Sequence, residues 1–203
     1  MKKASLLIII VLVIDQVSKI YVKTHFTLNE HINILGMDWA RIHFTENMGA
    51  AWGFQLNNFL TFLSQEQSKI ILTIFRVFAI AGIGYWLFSS IQKKASTIFI
   101  VAVSLIFAGA LGNIIDSIFY GVIFEESTYN TVASAFTGKH YGNLFHGKVV
   151  DMLYFPMWSG KLPSFLGGKE FTFFNAIFNF ADMAISIGVG LLLLFNKKAF
   201  PGK

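Results

Sequence analysis

Four runs of apolar residues, each close to the length that a lipid bilayer requires, constrain this chain more than any other feature. They read as membrane-spanning helices at about Ala4 to Val22, Ile70 to Ile91, Thr97 to Tyr120 and Phe174 to Phe195, since about 20 residues rising about 1.5 Å each cross a hydrocarbon core of about 30 Å. Of the 203 residues, 55% are hydrophobic and only 13% are charged, about half the charged share of a soluble domain. An outer-membrane barrel would alternate apolar and polar residues over segments of about 10 instead. With no Cys in the chain, a disulfide framework, a thiol nucleophile and Cys-ligated metals are excluded.

The apolar start behind Met1, Lys2 and Lys3 is similar to a secretory signal, but Asp15-Gln16-Val17-Ser18-Lys19 follows without a small-x-small cleavage site, so a retained first helix is expected. Lys2 and Lys3, Lys93 and Lys94, and Lys197, Lys198 and Lys203 form three basic clusters on one side of the membrane. The positive-inside rule makes that side cytoplasmic, with both termini on it. These clusters account for the net charge of +5 without nucleic acid.

Residues 23–69 and 121–173 then lie outside. In the first segment, His31 to Leu35 and Trp39 to Phe44 flank Gly36-Met37-Asp38, which suits a small hairpin needing support from its neighbours. Leu56, Phe59, Leu60 and Leu63 recur at helical spacing, fitting either a helix lying in the interface or an ordinary packed surface helix. In the second segment, Glu125 to Gly147 and Trp158 to Glu170 read as loops, the former as a flexible cover. The expected fold is an all-α integral membrane protein forming a single domain over residues 1–203, with four transmembrane helices, a small extracytoplasmic β-hairpin or sheet and an interfacial helix.

Charges within the apolar runs demand a partner or a task, because each costs about 2.5 to 3.5 kcal/mol at a helix centre. Counted along the helices, Asp15, Arg76, Asp116 and Asp182 all fall in the outer half of the membrane, which points to one polar site opening outward. Asn175, Asn179, Asp182 and Ser186 share a helical face, as do Gly109, Asn113 and Asp116, while Asp15 and Lys19 form an i, i+4 pair. Such residues serve equally as hydrogen-bonding glue for a bundle, a reading that suits Asp15 with Lys19 and Arg76 best and Asp182 least. Position alone leaves Asp151, within Val149-Val150-Asp151, open.

Five blocks in order then carry a resemblance: Asp15-Gln16-Val17-Ser18-Lys19, Asn47-Met48-Gly49-Ala50-Ala51-Trp52, Ala108 to Asp116, Val149-Val150-Asp151 and Phe178-Asn179-Phe180-Ala181-Asp182. Together they resemble the lipoprotein signal peptidases (signal peptidase II) over nearly the whole chain. The resemblance implies an intramembrane aspartyl protease of the bacterial inner membrane, its site toward the periplasm. Its partners would be membrane lipid and its substrate, a diacylglyceryl-modified prolipoprotein cut before the lipid-bearing Cys. It implies Asp151 and Asp182 as catalytic residues and Asp15, Lys19, Asn47, Asn113, Asp116 and Asn179 as site support or substrate contacts. Two departures stand out. Ser117 occupies the place where the family usually has Arg, for which Arg76 is the candidate substitute, and the intervals from Asp116 to Asp151 and from Asp151 to Asp182 are longer than usual.

The chemistry also follows from residue types. Two carboxylates facing one water do not both ionise easily, so one holds a proton to polarise a carbonyl while the other activates the water. Neither a cofactor nor a metal is required, and a monomer is expected. His25, His31, His43, His140 and His146 all fall in outer segments without an HExxH pattern, which disfavours metal or serine hydrolysis. The alternative class is a proton-coupled transporter or assembly protein with Asp15, Asp116 and Asp182 as relays. The absence of repeats and of broken-helix pairs weighs against it.

Overall fold

The structure, a computed structural model, describes residues 1–47, 64–161, 163–164 and 167–200. The helix expected around Leu56 to Leu63 lies outside the described residues. Helix α1 (Lys2–His25) is polar inside and apolar outside: Asp15, Lys19 and Lys23 are fully buried, whereas Ile9, Val13 and Val17 are more than half exposed. Water would favour the opposite arrangement. A hydrocarbon surround favours this one, because charges are tolerated there only when turned toward protein.

Helix α2 (Gln65–Gln92) begins at a capping box in which the Ser64 hydroxyl accepts from the Gln67 N–H while the Gln67 side chain accepts from the Ser64 N–H. Helix α3 (Thr97–Ile115) is capped by Ser96 and runs through a π-helical turn, Asp116–Tyr120, into α4 (Gly121–Ile123). Among the described residues three helices are long and apolar enough to cross a membrane: Lys2–His25, Gln65–Gln92 and the continuous stretch Thr97–Ile123. A shorter apolar helix, α5 (Phe180–Leu194), follows, then α6 (Asn196–Ala199).

The expected fourth run from Phe174 is therefore corrected at its start. Asn179 caps α5 with a full capping box, its side chain accepting from the Asp182 N–H and the Asp182 carboxylate accepting from the Asn179 N–H. Asn175 lies before this cap and takes the Tyr154 hydroxyl at 2.8 Å, so it does not share the helical face of Asp182. At Gly109 of α3 a Cβ would collide with the Ala181 carbonyl of α5, and at Gly112 it would lie 2.5 Å from the Asp15 carboxylate. Small residues at these two positions let three helices converge on one polar interior.

Beside the helices lies the small sheet expected from the sequence, with more strands than a single hairpin. Strands β1 (His31–Asn33), β2 (Arg41–Asn47), β3 (Val149–Tyr154) and β6 (Ile177–Phe178) form an antiparallel sheet in the order β1-β2-β3-β6. In its register Thr45 faces Asp151 and Asn47 faces Val149. Strands β4 (Trp158–Lys161) and β5 (Glu170–Phe173) pair as a separate hairpin within a stretch that reads as loop from its Gly and Pro. Phe44, Tyr120, Phe124, Val150 and Met152 pack together where the sheet meets the C-terminal ends of α1 and α3.

The segment from Glu125 to Gly147 is not a free flap. The Leu28 N–H donates to the Thr128 carbonyl at 2.9 Å, the Tyr141 N–H to Phe124 at 3.1 Å and the Gly147 N–H to Ser117 at 3.0 Å. These bonds fasten it to the ends of both helices.

Candidate active site

The interior begins with a buried cation between two carboxylates. Lys19 Nζ lies 2.9 Å from both Asp15 Oδ2 and Asp116 Oδ2, with all three side chains fully buried. Further donors satisfy the acids: the Ala181 N–H reaches Asp15 Oδ1 at 2.9 Å, the Val150 N–H reaches Asp116 Oδ2 at 3.3 Å, and the Gln16 amide bridges Asp15 and Asp116. The triad thus ties α1 and α3 to the start of α5 and to strand β3. A buried ion cluster is tolerable only with this degree of satisfaction.

Lys19 also donates to Asn113 Oδ1 at 2.9 Å, which links the cluster to a second pair of carboxylates. The Asn113 amide donates to Asp182 Oδ1 at 2.8 Å. Asn179 Nδ2 lies 2.7 Å from Asp151 Oδ1 and also reaches Asn113 and the Val150 carbonyl. The Asn47 amide approaches Asp151 Oδ2 at 3.5 Å. Asp151 is 5% exposed, and Asp182 in the first turn of α5 is half-buried. Burial and then the negative charge of Asp182 push Asp151 up to about 7, against the opposing influence of Lys19, Asn179 and Asn47. Two carboxyl groups that sense one another, one of them able to hold its proton near neutrality, can share a proton and a water between them.

Asp15, Lys19, Asn47, Asn113, Asp116, Asp151, Asn179 and Asp182 are thus brought into one connected network. Arg76 stands apart from its hydrogen bonds but is half-buried on α2, where its charge and that of Asp182 act on each other. Ser117 is buried and donates to the Asn113 carbonyl at 3.0 Å, so its hydroxyl serves its own helix. No group of three or more His, Asp or Glu side chains among the described residues is placed to hold a metal ion.

Sequence reasoning missed a neighbouring cluster. Lys23 donates to Glu46 and to Ser127, and Lys148 pairs with Glu46 at 3.2 Å and with Glu126 at 2.6 Å. Its signal was the repeat of Asp15, Lys19 and Lys23 every four residues on one helix. Gln16 and Tyr120 were missed too, although the Tyr120 hydroxyl donates to Gln16 at 3.2 Å and so orients the amide that bridges the buried acids.

A family model described as signal peptidase (SPase) II matches residues 7–197. A lipoprotein signal peptidase of Porphyromonas gingivalis is 46% identical over 198 residues, spanning 95% of this chain and 82% of that protein. Another from Amoebophilus asiaticus is 34% identical over 196 residues, spanning 94% and 75%. Two solved structures, each described as a bacterial membrane enzyme, are similar at 25% identity. One has a TM-score of 0.62 over 98% of this chain and 96% of its own, the other 0.60 over 100% and 93%. These likenesses do not favour a transporter.

Proposed function

The chain belongs to the signal peptidase II family, and on that premise we propose that it is an aspartic endopeptidase that removes the signal peptide from diacylglyceryl-modified prolipoproteins. The cut falls before the lipid-bearing Cys, and Asp151 and Asp182 are the catalytic pair. One observation carries this reading: Asn179 donates through its side chain to Asp151 and through its backbone to Asp182, so a single residue holds both carboxyl groups in relation.

In this mechanism the pair shares one proton. The ionised carboxylate takes a proton from water as the water attacks the scissile carbonyl, while the protonated partner donates to the carbonyl oxygen. Asn113 and Asn179 hold the two carboxyl groups in place, and the Asp15–Lys19–Asp116 cluster fixes Asn113. Asn47, at the end of β2, supports Asp151. Arg76 supplies positive charge on the side of Asp182.

The working orientation has four spans, with α5 as the fourth, both termini in the cytoplasm of a bacterial inner membrane and the site facing the periplasm. The substrate's signal helix enters sideways from the lipid, and the enzyme acts as a monomer.

The test is cleavage by the purified, detergent-solubilised protein of a diacylglyceryl-modified prolipoprotein, with the unmodified precursor alongside and the product masses measured. Cleavage of the modified form alone, immediately before its lipid-bearing Cys, is expected. A cut elsewhere, or equal cleavage of both forms, contradicts the proposal. Single cysteines at His43 and Lys139 should react with an impermeant thiol reagent added outside, and one at Lys93 should not.

A further inference from the structure

The β4–β5 hairpin presents two chemically opposite faces. Its register sets Trp158 against Phe173, Ser159 against Thr172, Gly160 against Phe171 and Lys161 against Glu170. Directly paired residues of an antiparallel ladder point the same way. Trp158, Phe171 and Phe173 therefore share one face, and Ser159, Thr172, Lys161 and Glu170 the other, where the two hydroxyls lie 3.0 Å apart. The aromatic face is uncovered: Trp158 is 60% exposed, Phe171 41% and Phe173 52%.

A lone two-stranded hairpin is marginal in water, and three large aromatic side chains facing water would make it more so. Its position in the chain supplies another surround. Three residues separate Trp158 from Tyr154, which pairs with Ile177 at the edge of the main sheet, and Asn179 two residues further on caps α5. The hairpin is thus tethered at the outer end of a helix whose Ile187, Val189 and Leu193 are exposed and apolar. The N-terminal end of such a helix is where Trp and its relatives concentrate in membrane proteins, with apolar ring surface toward lipid and polar neighbours toward water.

We infer that the β4–β5 hairpin is a lipid anchor: Trp158, Phe171 and Phe173 seat in the headgroup region of the outer leaflet beside α5, while Ser159, Thr172, Lys161 and Glu170 face the aqueous side. The occupant of this surface is bilayer lipid. The anchor steadies the strand connection between Asp151 and Asp182, and it stands whichever residues carry out the chemistry.

The chain has no Cys, so spin labels can be placed singly at positions 158, 159, 171, 172 and 173 of the full-length protein in phosphatidylethanolamine–phosphatidylglycerol nanodiscs. Collisional accessibility to oxygen, which partitions into lipid, is compared with that to a water-soluble nickel chelate. The oxygen-to-nickel ratio is expected to be several-fold higher at 158, 171 and 173 than at 159 and 172. Equal nickel access on both faces would overturn the proposal by placing the aromatic side chains in water. Exclusion of both reagents at 158, 171 and 173 would overturn it by showing that protein covers them. Because the label replaces the aromatic ring itself, the intrinsic emission of Trp158 gives an independent reading. Lipids brominated near the headgroup should quench a component of the wild-type emission that Trp158→Phe removes, and an unquenched Trp158 component contradicts the anchor.

Discussion

Asn179 holds its side-chain amide 2.7 Å from the Asp151 carboxylate while its own side-chain oxygen accepts the Asp182 N–H at 2.9 Å. One side chain thus ends a strand connection, starts a helix and spaces two carboxyl groups. Asn179→Ser keeps the oxygen that caps the helix and removes the amide donor. The amide's buried acceptors lose this donor, so stability should fall by about 1 to 3 kcal/mol and cleavage at least about tenfold, the order of one lost hydrogen bond to a charged group. Asn179→Ala should lose the same activity and about 1 kcal/mol more stability, the usual worth of a cap. Thermal unfolding in detergent beside initial rates separates the two effects.

Lys19 is the sole cation within salt-bridge distance of Asp15 and Asp116 among the described residues. Lys19→Met keeps most of the side-chain volume but leaves two buried carboxylates without it, a loss on the order of 3 to 5 kcal/mol. The variant should unfold well below the wild type and cleave poorly. Asp15→Asn, which leaves Lys19 still paired with Asp116, should be milder in both respects.

The pair should also set a pH dependence. Between the ordinary carboxylate range near about 4 and about 7, folded Asp151 keeps a proton that the unfolded chain has released. Its contribution to stability is therefore present at low pH and is lost as pH rises through that window. Cleavage should fall on the alkaline side with an apparent pKa near 7 that belongs to the pair. Unfolding curves across this range should lose that component of their pH dependence in Asp151→Asn.

Arg76→Ala is expected to impair cleavage more than stability, because Arg76 acts on Asp182 by charge. Ser117→Arg should not rescue it. Position 117 is 1% exposed and its carbonyl accepts from the Gly147 N–H, so an added guanidinium meets overpacking of about 1 to 3 kcal/mol. Expression level and unfolding temperature of the double variant check this directly.

The spanning helices were legible in sequence because lipid imposes a length and an apolar surface that no local propensity disguises. Asp15 with Lys19, and Asn113 with Asp116, were legible because helical spacing places them on shared faces. The site's closure was not. Asp151 reaches Asn179 through a strand pairing of long sequence separation, and nothing local to Val149-Val150-Asp151 announces β3 or its partners. The start of α5 was hidden by Phe173 and Phe174, whose apolar side chains extend the hydrophobic run past a cap that only the Asn179 and Asp182 side chains define. Glu46 was passed over for the same reason as β3: its partners Lys23 and Lys148 come from two distant segments.

The central claim, that Asp151 and Asp182 together carry out the cleavage, is met most directly by Asp151→Asn and Asp182→Asn, each assayed on a diacylglyceryl-modified prolipoprotein after folding is verified by thermal unfolding. Asparagine keeps the shape and removes the proton chemistry, so each variant should lose at least about a thousandfold in kcat/KM, within the span attributed to acid–base catalysis by a positioned group. A folded variant of either kind that cleaves within about tenfold of the wild type would contradict the account.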